Sequence, residues 1–304
     1  MGSEGHFSAQ RHLGELFMLV ILGVLVVFGS VISGFTISGG NVGSLIHPAE
    51  LLTIGGASLG SLLMMSPMKV LKDLMKGMMH SLKGSPYKKQ AYLELIGALN
   101  DLFSIARRDG LLALEPHFSA PRESAIFKKY PTLGNNKHNL SFFCNCFGLT
   151  MNPAIDSSTF SRFIEVELDA VGHEHHAPIG VLNKTADALP GFGIVAAVLG
   201  IVITMGAIDG PVDEIGKKVG AALVGTFLGI LMSYGLFGPL AVKLEFMADA
   251  EMVYFRTITT IIGGYVDKMA PKEAIELGRR GLGSDIQPSE EEVNQIYANA
   301  KAGR

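Results

Sequence analysis

Two apolar stretches, Leu189–Asp209 and Val219–Val242, are separated only by the short polar turn Gly210–Lys218. Each is apolar all round rather than along one face. At about 1.5 Å rise per residue, each is long enough to cross a hydrocarbon core of roughly 30 Å. The polar content is small and placed: Thr204 in the first stretch, then Thr226, Ser233 and Tyr234 in the second. Short of Asp209, which closes the first stretch, no ionisable acid, base or histidine lies inside either one. The pattern predicts a membrane hairpin, and the rest of the chain reads as its support.

Composition agrees. A hydrophobic fraction of 48%, a charged fraction of 17% and a mean hydropathy of +0.34 lie outside the soluble profile. A net charge of -3 gives no reason to expect nucleic acid as a partner. Glycine, at 37 residues, falls largely within apolar runs, which suits close helix approach in membranes. Tryptophan is absent, so no Trp belt marks the interfaces. Cys144 and Cys146 sit one residue apart in a segment assigned to the cytosol, which argues against a disulfide framework. A Cys-x-Cys pair supplies two ligands at most, too few for a metal site.

In chain order, residues 1–15 form a polar leader on the cytoplasmic side. Leu16–Ile37 and Pro48–Met65 are the first two spans, the second glycine-loaded and only just long enough. Pro48 fits a first helical turn, where its missing N–H costs nothing. After Pro67 come Lys69, Lys72, Lys76, Lys83, Lys88 and Lys89, which mark this flank as cytoplasmic. Residues 66–188 then form a helical cytoplasmic domain, 189–242 the third and fourth spans, and 243–304 cytoplasmic helices and a tail. The fold class is an all-α membrane protein with four spans and both termini inside.

Within 66–188, Leu93, Ile96, Leu99, Leu102 and Phe103 recur at helical spacing, and Gly110 is placed to cap that helix. Pro121 and Pro131 allow only short helices between 120 and 133. Phe160–Val171 reads as another amphipathic helix. The cluster His173-Glu174-His175-His176, followed by Pro178, reads better as a solvated polar turn than as a metal site. No P-loop, H-E-x-x-H or G-x-S-x-G pattern occurs, so no enzyme site is expected. The tail has a capping box, Ser289 with Glu292, but too little apolar surface to require docking.

A carrier working alone needs an ionisable or carbonyl-lined site within the membrane. Here the only acid near a span on the second helix is Glu50, close to the outer end. The interiors of all four spans hold hydroxyls and glycines, so any titrating group should come from a partner. Thr204 and Ser233 read as hydroxyls bonded back to their own helices. Thr226 follows Gly225, where backbones can approach closely, and both roles stay open for it. Pro190 and Pro239 bracket the hairpin. Pro190 suits a helix start and Pro239 a terminator or kink, with a hinge as the sharper alternative for both.

Longer motifs carry a resemblance. LPGFGIVAAVLGIV (Leu189–Val202), VGTFLGILMSYGLFGPLA (Val224–Ala241) and PAELLTIGGASLGS (Pro48–Ser61) resemble the MotA family of flagellar stator subunits, within the MotA/TolQ/ExbB proton channels. RRDGLLALE (Arg107–Glu115), PRES (Pro121–Ser124) and FKKYP (Phe127–Pro131) are similar to that family's cytoplasmic lobe. Gly134–Ala188 is the least similar stretch, and no role is carried over there.

The resemblance implies a pentamer in the bacterial inner membrane, surrounding two copies of a single-span MotB-like partner. That partner supplies the titrating aspartate and anchors to peptidoglycan. Ion flow then turns the ring, and the cytoplasmic lobe pushes the rotor protein FliG. Pro190 and Pro239 match the family's hinge-like prolines, Ala197 and Thr226 the faces near the ion path. Arg107 and Glu115 match the charged pair that engages the rotor, with Arg108 beside them. Sodium-driven relatives have a threonine where this chain has Ala197, so a translocated proton is expected, with no bound cofactor. Lipid is the remaining partner.

Three rivals come from other classes. An ExbB- or TolQ-like force-transducing subunit usually has three spans, one very long, where this chain shows four. A self-contained transporter needs buried charge or matched internal repeats, which the sequence lacks. A scaffold without ion flow fits the spans alone.

Overall fold

The computed structural model describes the backbone of residues 4–81, 84–152 and 154–302, and side chains within 19–300 of those ranges. Met1–Ser3 of the leader and Lys83 of the basic flank lie outside the described residues. Among the described residues the chain is helical, without strands, and four helices are long and apolar enough to cross a membrane. In lipid every backbone N–H and C=O must be satisfied internally, which a helix does residue by residue.

The first helix, α1 (Glu4–Ile37), already begins within the segment expected to be a polar leader, so its apolar span extends a helix rather than starting one. Gly39, at φ 87°, turns the chain, and Asn41 Oδ1 accepts from the Gly43 N–H at 2.8 Å to open a short 3-10 turn, Val42–Leu45. Next comes α2 (Pro48–Met65), with Pro48 in its first turn as expected. The apolar helix through Met65 has a mean hydropathy of 1.2, against 2.5 for Leu19–Ile37, which fits a span that only just suffices. Then α3 (Met68–Ser81) buries Leu74, and its Lys69 pairs with Glu174 at 2.7 Å.

The amphipathic helix expected before Gly110 is α4 (Lys89–Asp109). Its Tyr92, Leu95, Ile96, Leu99, Leu102 and Phe103 are all but fully buried; Leu95 rather than Leu93 leads the stripe. Gly110, at φ 86°, closes it with its N–H on the Ala106 carbonyl at 3.1 Å. A 3-10 turn, Leu111–Leu114, leads into the short α5 (Glu115–Ser119), α6 (Ala125–Lys129) and α7 (Pro131–Gly134), as the prolines require. Two turns of phenylalanines follow on α8 (Lys137–Leu149). Cys146 is buried on this helix and Cys144 half-buried, and both are free. Burial pushes the Cys144 thiol up to about 12 and Cys146 higher still, so both act as small core hydrophobes.

One helix, α9 (Ser157–Met205), then runs for 49 residues, about 74 Å at helical rise. That is more than twice a hydrocarbon core, so much of it stands outside lipid. It overturns two expectations. His173–His176 lie in mid-helix rather than in a turn, with His173 and His176 exposed on the helix surface. Pro178 and Pro190 are both internal, so Pro190 does not start a helix. The return path is α10 (Val212–Met232), a π-helical turn at Ser233–Phe237, and α11 (Gly238–Val266) without a break. Pro239 therefore sits in the first turn of a continuing helix and terminates nothing.

Finally α12 (Pro271–Arg280) and α13 (Glu290–Ala302) close the chain. The tail docks, contrary to its sparse apolar content. Val293 is 5% exposed, Ile296 and Tyr297 pack on the core, and Lys89 pairs with Glu292 at 2.7 Å. The expected capping box forms: Ser289 N–H donates to Glu292 Oε2 at 2.7 Å, and Glu292 N–H donates to Ser289 Oγ at 3.2 Å. Buried Arg279 fixes the connection, donating to Glu276 at 2.7 and 2.8 Å and to the Pro288 carbonyl at 2.9 Å. Hydrogen bonds from Arg279, then Arg280, hold the Glu276 carboxyl at about 2.

The chain forms two compact units. One holds residues 1–84 and 174–247, and its small core joins Ile54, Leu189 and Ala196. The other holds residues 85–173 and 248–304 around a large aromatic and aliphatic core. There Phe142 stacks on Phe255 at 4.2 Å and Phe103 on Tyr265 at 4.5 Å. Ile258, Ile261 and Ile262, too short a run to span a membrane, are its fully buried centre.

Candidate functional site

The first unit is built on a seam between α9 and α10. On one side lie Gly193, Ala196, Ala197 and Gly200, and on the other Ala222, Gly225, Thr226 and Gly229. Backbones meet here. A methyl group on Gly229 would stand 2.6 Å from the Leu189 carbonyl oxygen, and one on Gly193 would stand 2.9 Å from the Gly225 oxygen and 3.2 Å from Thr226 Cα. Small residues one turn apart permit this approach between membrane helices. Ala197 is 9% exposed, its backbone nitrogen 3.4 Å from where a methyl on Gly225 would stand; Thr226, half-buried, meets Gly193 in the same seam. Thr204 donates to the Gly200 carbonyl at 2.8 Å, the back-bonded role expected of it. Ala197 and Thr226 thus share one seam free of formal charge.

Both prolines act on the backbone ladder at one end of this hairpin. Pro190 lacks the N–H that would bond the Ala186 carbonyl, one turn before Gly193. Pro239 lacks the N–H for the Gly235 carbonyl, and the turn just before it widens so that the Gly238 N–H reaches back to Ser233. Gly235 is where α1 meets this widened turn, since a methyl there would lie 3.0 Å from Val27 Cγ1. The periodicity of the apolar residues gave no sign of the π turn. Its only signal was Gly238-Pro239 inside a span.

In the second unit, Arg107 and Arg108 occupy the exposed last turn of α4, and Glu115 the exposed start of α5. Arg108 grips Asp109 through three contacts of 2.7–3.0 Å. Those contacts raise the guanidinium's proton affinity and lower that of the carboxyl. Among the described residues no ion pair holds Arg107 or Glu115. The α4 arginines also line an open groove of about 440 Å³ with Lys272 and Tyr297, which no local pattern in the sequence could foretell.

Two family models match: Motility protein A N-terminal over residues 21–110, and the MotA/TolQ/ExbB proton channel family over residues 137–257. The chain is 36% identical to the chemotaxis protein LafT of Vibrio parahaemolyticus, covering 92% of this chain and 99% of that one. The chain belongs to the MotA family. Motility protein A of Escherichia coli is 35% identical over 90% of this MotA-family chain and 92% of its own length. The fold is also that of solved relatives. A C. jejuni MotAB structure matches with a TM-score of 0.70 at 22% identity, over 90% of this chain and 99% of that one. A flagellar MotAB stator complex from Bacillus subtilis matches with a TM-score of 0.61 at 22% identity, over 84% and 92%. Four membrane helices make this MotA-family chain a multi-pass membrane protein.

Proposed function

We propose that this chain is the ring-forming stator subunit of a flagellar motor, converting ion flow into torque on a rotor. The observation that carries the reading is the α9–α10 seam: a glycine-lined membrane hairpin with no charge of its own, flanked by two prolines that interrupt the helix ladder. Such a seam can line an ion path only if another helix brings the titrating carboxylate. The MotAB complexes of similar fold pair a MotA with a MotB, and a MotB-like single-span subunit fills that role here. Five copies of this chain surround it, in the inner membrane with both termini cytoplasmic, in keeping with the lysines after Met65.

In this reading Ala197 and Thr226 face the ion path, and the ion is a proton because Ala197 offers no oxygen ligand. Pro190 and Pro239 are the hinges. Arg107, Arg108 and Glu115 engage charges on FliG, where exposed and oriented charge steers docking. The likeness to motility proteins along nearly the whole chain, and the four membrane helices, disfavour an ExbB- or TolQ-like subunit.

The test is tethered-cell rotation in a strain lacking its own stator and given this chain with its partner. The wild type restores rotation, and Arg107→Glu abolishes it while still co-purifying with the partner. Absence of rotation from a wild-type complex that assembles in the membrane would sink the reading.

A further inference from the structure

We propose that the groove walled by α4, α12 and α13 is a docking cleft for an acidic protein segment, with Lys272 joining Arg107 as the cations that receive it. This rests on the reading of the chain as a torque-generating subunit and adds a surface to it. The last three turns of α4 contribute Asn100, Ser104, Arg107 and Arg108. Facing them are Lys272 at the start of α12 and Tyr297 on α13. Among the described residues no carboxylate lines the groove. The acids adjacent in sequence to its cations are committed elsewhere: Asp109 to Arg108, and Glu273 to the Ala270 N–H at 3.2 Å.

The cleft is preorganised. Lys272 Nζ lies 4.7 Å from the centre of the Tyr297 ring, which holds the ammonium over the groove and leaves its protons for another partner. Phe103, 1% exposed and stacked on Tyr265, is a rigid apolar floor. Two ion pairs hold the α13 wall in place, Lys89 with Glu292 at 2.7 Å and Arg279 with Glu290 at 3.7 Å. Cations on two separate elements, α4 and α12, converging over an apolar floor match side-chain carboxylates interspersed with apolar residues. A small free anion would meet only exposed, solvent-screened charges. At about 440 Å³ the space takes a few side chains of a segment, not a folded domain.

The experiment combines rotation with a direct binding assay on the full-length complex. Lys272→Glu and Lys272→Arg are compared in tethered cells, beside Arg107→Glu. A fluorescent peptide alternating Glu with Leu is titrated onto the purified complex by anisotropy, with inorganic phosphate as competitor. The expected result is rotation lost in Lys272→Glu and retained in Lys272→Arg. Peptide affinity falls at least tenfold in Lys272→Glu, and millimolar phosphate does not displace the peptide. Normal rotation and unchanged peptide binding in Lys272→Glu would overturn the cleft while leaving the stator reading intact. Displacement by phosphate would make this a small-anion site and overturn the proposal equally. Wild-type cells that do not rotate would instead implicate the stator reading itself.

Discussion

Gly229 has no room for a side chain. Its Cα side faces the Leu189 carbonyl and the backbone of Gly193, neither of which can move without separating α9 from α10. Gly229→Leu is therefore expected to destabilise the hairpin by about 1–3 kcal/mol, the usual cost of overpacking, and to lower the yield of complex with the partner. Gly220→Leu is the control, because nothing lies within 4 Å of the place its Cβ would take. Equal losses in both would show that the seam is not the sensitive surface. At this scale the sequence was partly readable. The Gly225-x-x-x-Gly229 spacing is a known sign of close helix approach, and the Thr204 back-bond needed only its own helix. That Gly193 is their counterpart depends on which faces of two helices meet.

Among the elements, the long helices carry the tension between stability and movement. Proline within a helix forfeits one backbone hydrogen bond and crowds the carbonyl one turn back. Before Pro239 the chain meets this with a π turn instead of ending the helix. Pro239→Ala restores a donor for the Gly235 carbonyl, worth on the order of 1 kcal/mol, and favours a regular helix there. Tethered cells carrying it should stop rotating, while thermal unfolding of the purified complex shifts upward or not at all. Rotation at the wild-type rate would show that the π turn is not a hinge. Element type was legible wherever periodicity was strong, as in α4, and wherever Gly or Pro fixed a boundary, as at Gly110, Pro121 and Pro131. It was misread at Pro190 and at His173–His176. A proline and a polar cluster resemble a break locally, but a long helix with ample other hydrogen bonds absorbs both.

For the whole molecule, the ion is the matter to settle by measurement. Rotation driven through a seam with alanine at 197 should collapse when a protonophore is added and stay constant as sodium is varied. Dependence on sodium would overturn the inference from Ala197 without touching the fold. The sequence by itself determined the class, the four spans and the charge-free hairpin, because apolar length and the absence of ionisable groups are local properties that lipid enforces. It also carried the family likeness, which lies in contiguous motifs. Tertiary structure decided what depends on distant segments meeting. Val293 is buried because the α12–α13 connection, fixed by Arg279, brings a sparse helix onto α4. Lys272 joins Arg107 and Arg108 in one groove although more than 160 residues separate them in the chain. Burial and charge convergence of this kind arise from packing geometry, and no window along the chain contains both partners.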